Sequence, residues 1–166
     1  AGQNLGKVQL NKGRVKLRLE AVDAPESCQD WGAEATAALQ AQVKNQPVRA
    51  ELLHRDSYGR WLARVYMLQV QNLDVNAWLV AQGHAWDYQF ANGKPGRYAT
   101  LQAQAKLARR GLWSLQKPMQ PRQFRRQHGA CEYGATTRQQ NQDALPSWWQ
   151  SAQARLLELL QDTSKK

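Results

Sequence analysis

The chain has 166 residues, enough for one core of ordinary domain size and short for two. Lys and Arg outnumber Asp and Glu by 23 to 13, for a net charge of +10 and a pI near 10.0, so the surface concentrates polyanions: nucleic acid is the first expected partner and an anionic membrane surface the second. No run approaches the roughly eighteen apolar residues of a membrane span, and the first positions lack the apolar core of a signal peptide, so the sequence predicts no span and no targeting segment.

Residues 7–10, "KVQL", and 14–22, "RVKLRLEAV", alternate apolar and polar positions across the turn signal "NKG", which predicts a hairpin with a basic outer face. The stretch 33–44, rich in Ala, Leu and Gln, reads as a helix ended by Asn45 and Pro47. Two further alternating strands, 48–53 and 61–68, flank "HRDSYGR", whose Asp56 and Gly59 mark a turn. Asp74 is placed to cap a short helix that stops at Gly83. A longer helix is expected over 96–110, closed by Gly111. Residues 114–146 lack periodicity and read as an arm, and "PSWWQSAQARLLELLQ" reads as a last helix with Ser147 and Gln150 as its capping box. Short strands followed by helices predict an α+β chain, a small barrel or sheet carrying helices.

Cys28 and Cys131 both sit in loop-like sequence, outside any metal-ligand spacing. A bridge between them implies an exported protein and two free thiols a cytosolic one; the loop setting favours the bridge.

Three acids, Asp23, Glu26 and Asp30, gather in "AVDAPESCQDWG" within this basic chain. Pro25 restricts Ala24 to extended conformations, so the turn fixes Asp23 and Glu26 relative to each other, one suited to bind a cation and the other to act as a base. Taken alone the motif is a weak signal and reads more readily as an ordinary polar turn capping the next helix. The second element, "DSYGRWLARVY", delivers Arg60 from a tight turn, and Arg18 lies on the outer face of the first long strand. Two fixed guanidinium groups with one cation-binding carboxylate and one base form a coherent set for phosphodiester cleavage. Asp30 reads as a solvated loop residue, and His54, His84 and His128, which share no ligand spacing, as structural or exposed. The cluster Arg109, Arg110, Lys117, Arg122, Arg125 and Arg126 is read as an extension of a nucleic-acid track.

In this order and at these intervals, "RLEAVDAPE", "DSYGRWLARVY", "NAWLVAQGHA" and "YATLQAQAKLARRGLW" resemble the thermonuclease, or staphylococcal nuclease-like, family. The resemblance covers about residues 1–126 as one domain and leaves 127–166, an arm and an amphipathic helix, unexplained. It implies a five-stranded OB-type β-barrel with packed helices and a calcium-dependent, sugar-nonspecific nuclease that leaves 3′ phosphates on DNA or RNA. Carried over by motif, Arg18 and Arg60 clamp the phosphate, Glu26 is the general base, Asp23 and the Ala24 backbone carbonyl bind calcium, and Tyr58, with Tyr88 as a second candidate, contacts the nucleotide. The family's opening Asp-Gly-Asp-Thr is replaced here by Ala1-Gly2-Gln3-Asn4, so only a neutral amide from Gln3 or Asn4 stands where a second carboxylate ligand is usual. Calcium affinity rises with ligand charge, so Ca2+ is expected to bind more weakly than is usual, by about an order of magnitude or more. The rival reading is a nucleic-acid-binding module whose degraded metal site has ended catalysis. The expected setting is periplasmic or secreted, with a cytoplasmic alternative, and the expected state a monomer, with dimerisation through the last helix left open.

Overall fold

Alternation and turn chemistry build the central sheet. In the computed structural model, which describes residues 15–88, 95–129 and 131, strand β3 (Val48–Arg55) runs antiparallel to β4 (Trp61–Met67), with Arg49 opposite Tyr66 and Leu52 opposite Ala63. On β4 the alternate residues Ala63, Val65 and Met67 are buried while Leu62, Arg64 and Tyr66 are only half-covered, the period-two pattern of a strand with one face on the core. Strand β1 (Leu17–Leu19) joins the other edge of β4 in parallel, with Arg18 opposite Leu62, and β5 (Leu73–Asp74) pairs with the end of β4. A separate two-stranded ladder joins β2 (Val22–Asp23) to β6 (Trp86–Asp87).

The long alternating run is therefore not one strand. Ala21 adopts a left-handed backbone (φ 59), and the chain turns at Glu20–Ala21, so that Arg18 and Asp23 belong to different sheets. Asn76, fully buried on α2 (Val75–Ala81), holds this break: its amide nitrogen donates to the Glu20 carbonyl at 2.9 Å and to the Ala63 carbonyl at 3.1 Å, and its oxygen accepts from Val65 N–H at 3.2 Å. Three of that amide's four hydrogen-bonding positions, including both donors, are spent on joining the turn after β1, β4 and α2.

The helices follow their end signals closely. Helix α1 spans Gly32–Val43 and α2 begins where Asp74 Oδ1 accepts the Ala77 N–H at 3.0 Å. Helix α3 (Ala99–Leu107) is shorter than the expected 96–110, because Gly96 and Tyr98 instead pack on the Asp87 carboxylate, Tyr98 N–H donating to it at 2.8 Å. A 3-10 turn follows at Gly111–Ser114. The segment expected to be an aperiodic arm contains α4 (Pro121–His128), started by a proline at its first position.

The main core joins Ala21, Val22, Val65, Met67, Val75, Leu79, Val80, Ala85 and Tyr98, and a second cluster joins Ala105, Leu112 and Trp113 with Trp31 and Trp86 on its margin. This α+β architecture is consistent with the OB-type fold. The chain divides into units Ala1–Ala130 and Cys131–Lys166. Cys28 and Cys131 are disulfide-bonded, and among the described residues no helix is long and apolar enough to cross a membrane. The expected 7–10 strand, Gln3, Asn4 and the 146–161 helix lie outside the described residues.

Candidate active site

The break at Ala21 aims two sets of side chains at neighbouring clefts. Arg18, Asp23, Glu26, His84 and Arg125 line one of about 290 Å³. Arg18, His54, Asp56, Tyr58, Arg60 and Tyr88 line another, also of about 290 Å³. Arg18 is common to both, because parallel pairing seats β1 beside the start of β4, two residues beyond Arg60.

The turn that carries Arg60 is built by Asp56. Its Oδ1 accepts the backbone N–H groups of Tyr58 and Arg60, each at 2.9 Å, and its Oδ2 accepts from Arg60 Nε at 2.8 Å and Nη2 at 2.7 Å. Gly59 supplies the left-handed residue (φ 75) that closes the turn. Burial would raise the Asp56 pKa, but the Arg60 side chain and the two backbone donors outweigh it and hold the carboxyl below its ordinary value. The Arg60 guanidinium lies 5.2 Å from the centre of the Tyr58 ring, which is 83% exposed and so open to a stacking partner.

In the first cleft, Pro25 is buried and separates half-buried Asp23 from half-buried Glu26. The first residue of α1 lies against this turn so closely that a Cβ on Gly32 would collide with the Glu26 carbonyl oxygen. Buried Gln29 clips the same loop to the approach to α4, its Nε2 donating to the Met119 carbonyl at 2.7 Å while its Oε1 accepts the Glu26 N–H at 3.2 Å. From α4, Arg125 reaches both acids: Nη1 donates to Glu26 Oε1 at 2.7 Å and to Asp23 Oδ1 at 3.3 Å, and Nη2 spans Asp23 Oδ1 and Oδ2 at 3.4 and 3.3 Å. Burial works against the Arg125 charge, but Glu26 and Asp23 outweigh it and raise its pKa.

His84 closes the inner wall. It stands between the rings of Trp31 and Trp78, and its Nδ1 accepts from Trp31 Nε1 at 3.3 Å. Burial pushes its pKa below the ordinary histidine value, which favours the neutral ring. The other expected residues fall as follows: Asp30 is exposed, and Ala24 is exposed at the mouth of the first cleft. Arg122 and Arg126 are exposed on α4, whereas Arg125 of the same basic run is turned inward.

A hard divalent cation would meet oxygen donors here, the Asp23 carboxylate and the Ala24 carbonyl, which fit its chemistry in kind. Among the described residues no group of three or more His, Cys, Asp and Glu is arranged to hold a metal, and the Asp23 oxygens are engaged by Arg125. A cation at Asp23 would compete with those ion pairs.

Sequence reasoning missed Arg125, His84, Gln29 and Asn76 as parts of this region. For Arg125 the available signal was Pro121, whose position marks a helix start and hence one face for 121, 124, 125 and 128. Nothing local points to Asn76, whose partners lie 11 to 56 positions away.

Comparison with known proteins places this geometry in context. The staphylococcal nuclease homologue family matches residues 16–115. The chain is 37% identical over 107 residues to an uncharacterized endonuclease of Escherichia coli, covering 64% of this chain and 68% of that one. An uncharacterized endonuclease of Haemophilus influenzae is 37% identical over 120 residues (71% of this chain, 65% of that one), and a micrococcal nuclease of Shigella flexneri 34% identical over 127 residues, with 72% of each covered.

Proposed function

The chain belongs to the staphylococcal nuclease family, and on that premise we propose that it is a calcium-dependent, sugar-nonspecific nuclease that cleaves DNA and RNA at the 5′ oxygen and leaves 3′ phosphates. That it is a phosphodiester-hydrolysing nuclease with a nucleic-acid substrate follows from membership. The finer reading is supported above all by one observation: Arg18 lines both the cleft of Asp23 and Glu26 and the cleft of Arg60, Tyr58 and Tyr88. A phosphodiester seated at Arg18 therefore has a carboxylate pair on one side and a second guanidinium with two aromatic rings on the other.

In this reading Glu26 takes a proton from water, the water oxygen forms a bond to phosphorus, and the bond from phosphorus to the 5′ oxygen breaks as that oxygen takes a proton from solvent. Arg18 and Arg60 neutralise the charge that accumulates on the equatorial oxygens, and do so best when held rigid beforehand. Asp56 fixes Arg60 for that purpose. Tyr58 and Tyr88 hold the adjoining nucleotide by stacking and hydroxyl contacts. Asp23 and the Ala24 carbonyl are the residues that would hold calcium, with Gln3 or Asn4 as a neutral contributor; the cation supplies charge neutralisation at the phosphate.

We assign residues 1–126 to the nuclease domain, α4 running on to His128, and 127–166 to an arm and an amphipathic helix, and the disulfide supports an extracytoplasmic location. The second reading, a weakened or inactive nucleic-acid-binding module, is favoured by the ion pairing of both candidate acids with Arg125. Digestion of plasmid, single-stranded DNA and RNA with calcium, magnesium or chelator, followed by end-group analysis, separates the two. Calcium-dependent cleavage to 3′-phosphate ends supports the enzyme, and salt-sensitive binding without cleavage supports the module.

A further inference from the structure

Arg125 is the one basic side chain of α4 that makes ion pairs with both Asp23 and Glu26 among the described residues, while its neighbours Arg122 and Arg126 face solvent. Its fork spans the two acids, and a guanidinium does not lose its charge at accessible pH. A divalent cation on Asp23 would sit within a few ångströms of that fixed positive charge, an arrangement that Coulomb repulsion opposes strongly in a partly buried cleft.

We propose that Arg125 is a positioning residue that holds Asp23 and Glu26 together in the cation-free protein and exchanges with the divalent cation, so that metal occupancy and the Arg125 ion pairs with these two acids exclude one another. This inference rests on the calcium reading above and adds the ligand that the metal must displace. The element that yields is suited to it. Helix α4 has eight residues, too few to hold its conformation without tertiary contacts, and besides Arg125 it is attached through the buried Pro121 ring, half-buried Phe124, the Gln29–Met119 hydrogen bond at its approach and the Cys28–Cys131 bond three residues past its end. Losing the Arg125 contacts frees the guanidinium and loosens the last turn, while the Gln29–Met119 hydrogen bond and the Cys28–Cys131 bond keep both ends of α4 tethered to the loop.

The test is calcium titration by calorimetry on the metal-stripped full chain, comparing the native protein with Arg125→Gln and Arg125→Lys, together with amide hydrogen exchange of residues 121–128 with and without calcium. Exchange predicts that Arg125→Gln tightens calcium roughly tenfold, the scale of a lost charge-assisted hydrogen bond. Arg125→Lys, which keeps the charge and loses the fork, falls between. It also predicts that calcium speeds amide exchange in α4 of the native protein, a response that a merely structural arginine does not give. Equal affinities in native and Gln proteins of matching circular dichroism, or α4 amides that calcium protects, overturn the inference while leaving the calcium reading intact. Calcium binding by none of the three proteins overturns both. Should the Gln variant fail to fold, the Lys variant and native-protein exchange carry the same decision.

Discussion

Asp56 and Arg60 form a closed unit within one turn: Oδ2 of the aspartate accepts from both Nε and Nη2 of the arginine, at 2.8 and 2.7 Å, while Oδ1 caps the backbone that carries it. The guanidinium is thereby aimed before any substrate arrives. Asp56→Ala frees the arginine without removing it, so kcat is expected to fall roughly tenfold or more, with KM less affected, because a small misplacement of a transition-state contact is costly. Steady-state kinetics on a defined oligonucleotide check this; unchanged kcat would show that Arg60 needs no orienting partner.

Asn76 joins three elements with one amide and has no solvent exposure. Asn76→Ala leaves the Val65 N–H and the Glu20 and Ala63 carbonyls to lose a partner together, and a loss of about 2–4 kcal/mol is expected in denaturant unfolding. Because Asn76 secures the turn before Asp23, cleavage should fall as well at temperatures where the variant is folded. A loss under about 0.5 kcal/mol, the surface-substitution range, would contradict this role.

His84 makes stability sensitive to acid. Its folded pKa lies below the ordinary 6.5, so the folded protein binds this proton less readily than the unfolded chain does. Its contribution is complete above 6.5 and is lost as pH falls through that value toward the lower folded pKa. The groups lining the same cleft are Arg18, Asp23, Glu26 and Arg125. Melting temperatures of the native protein and His84→Gln, measured from about pH 7.5 to about pH 5.5, should converge as the native protein loses more stability. Parallel curves would contradict the assignment.

The Cys28–Cys131 bond closes a loop of about a hundred residues, for which chain entropy gives roughly 4–5 kcal/mol. Thermal unfolding with and without reductant, and of Cys28→Ser paired with Cys131→Ser, should show a large drop in midpoint. An unchanged midpoint would mean that the crosslink contributes little to the folded state.

Much of this was legible in the sequence because local rules and tertiary packing agree. The alternation of β4, the Asp74 cap of α2 and the Asp56–Gly59 turn were each readable from a few adjacent residues, and each recurs in the structure. Asp23, Glu26 and Arg60, the residues those motifs single out, line the two clefts. What escaped was non-local or irregular. The run 14–22 keeps its alternation through a left-handed Ala21, so periodicity hid the break that moves Asp23 to another sheet. Helix α4 is short and almost wholly polar, and periodicity is a weak signal in such a segment. Arg125 is one of six basic residues in its region, and its partners lie 99 and 102 positions away.

The measurement that bears most directly on the central claim is cleavage of plasmid and single-stranded DNA in calcium, magnesium and chelator by the native protein, Glu26→Gln and Arg60→Ala. The account predicts cleavage in calcium, none in chelator, and a loss of at least about a hundredfold in each variant at unchanged DNA affinity for Glu26→Gln. Native-level cleavage by Glu26→Gln, or cleavage that persists in chelator, would contradict it.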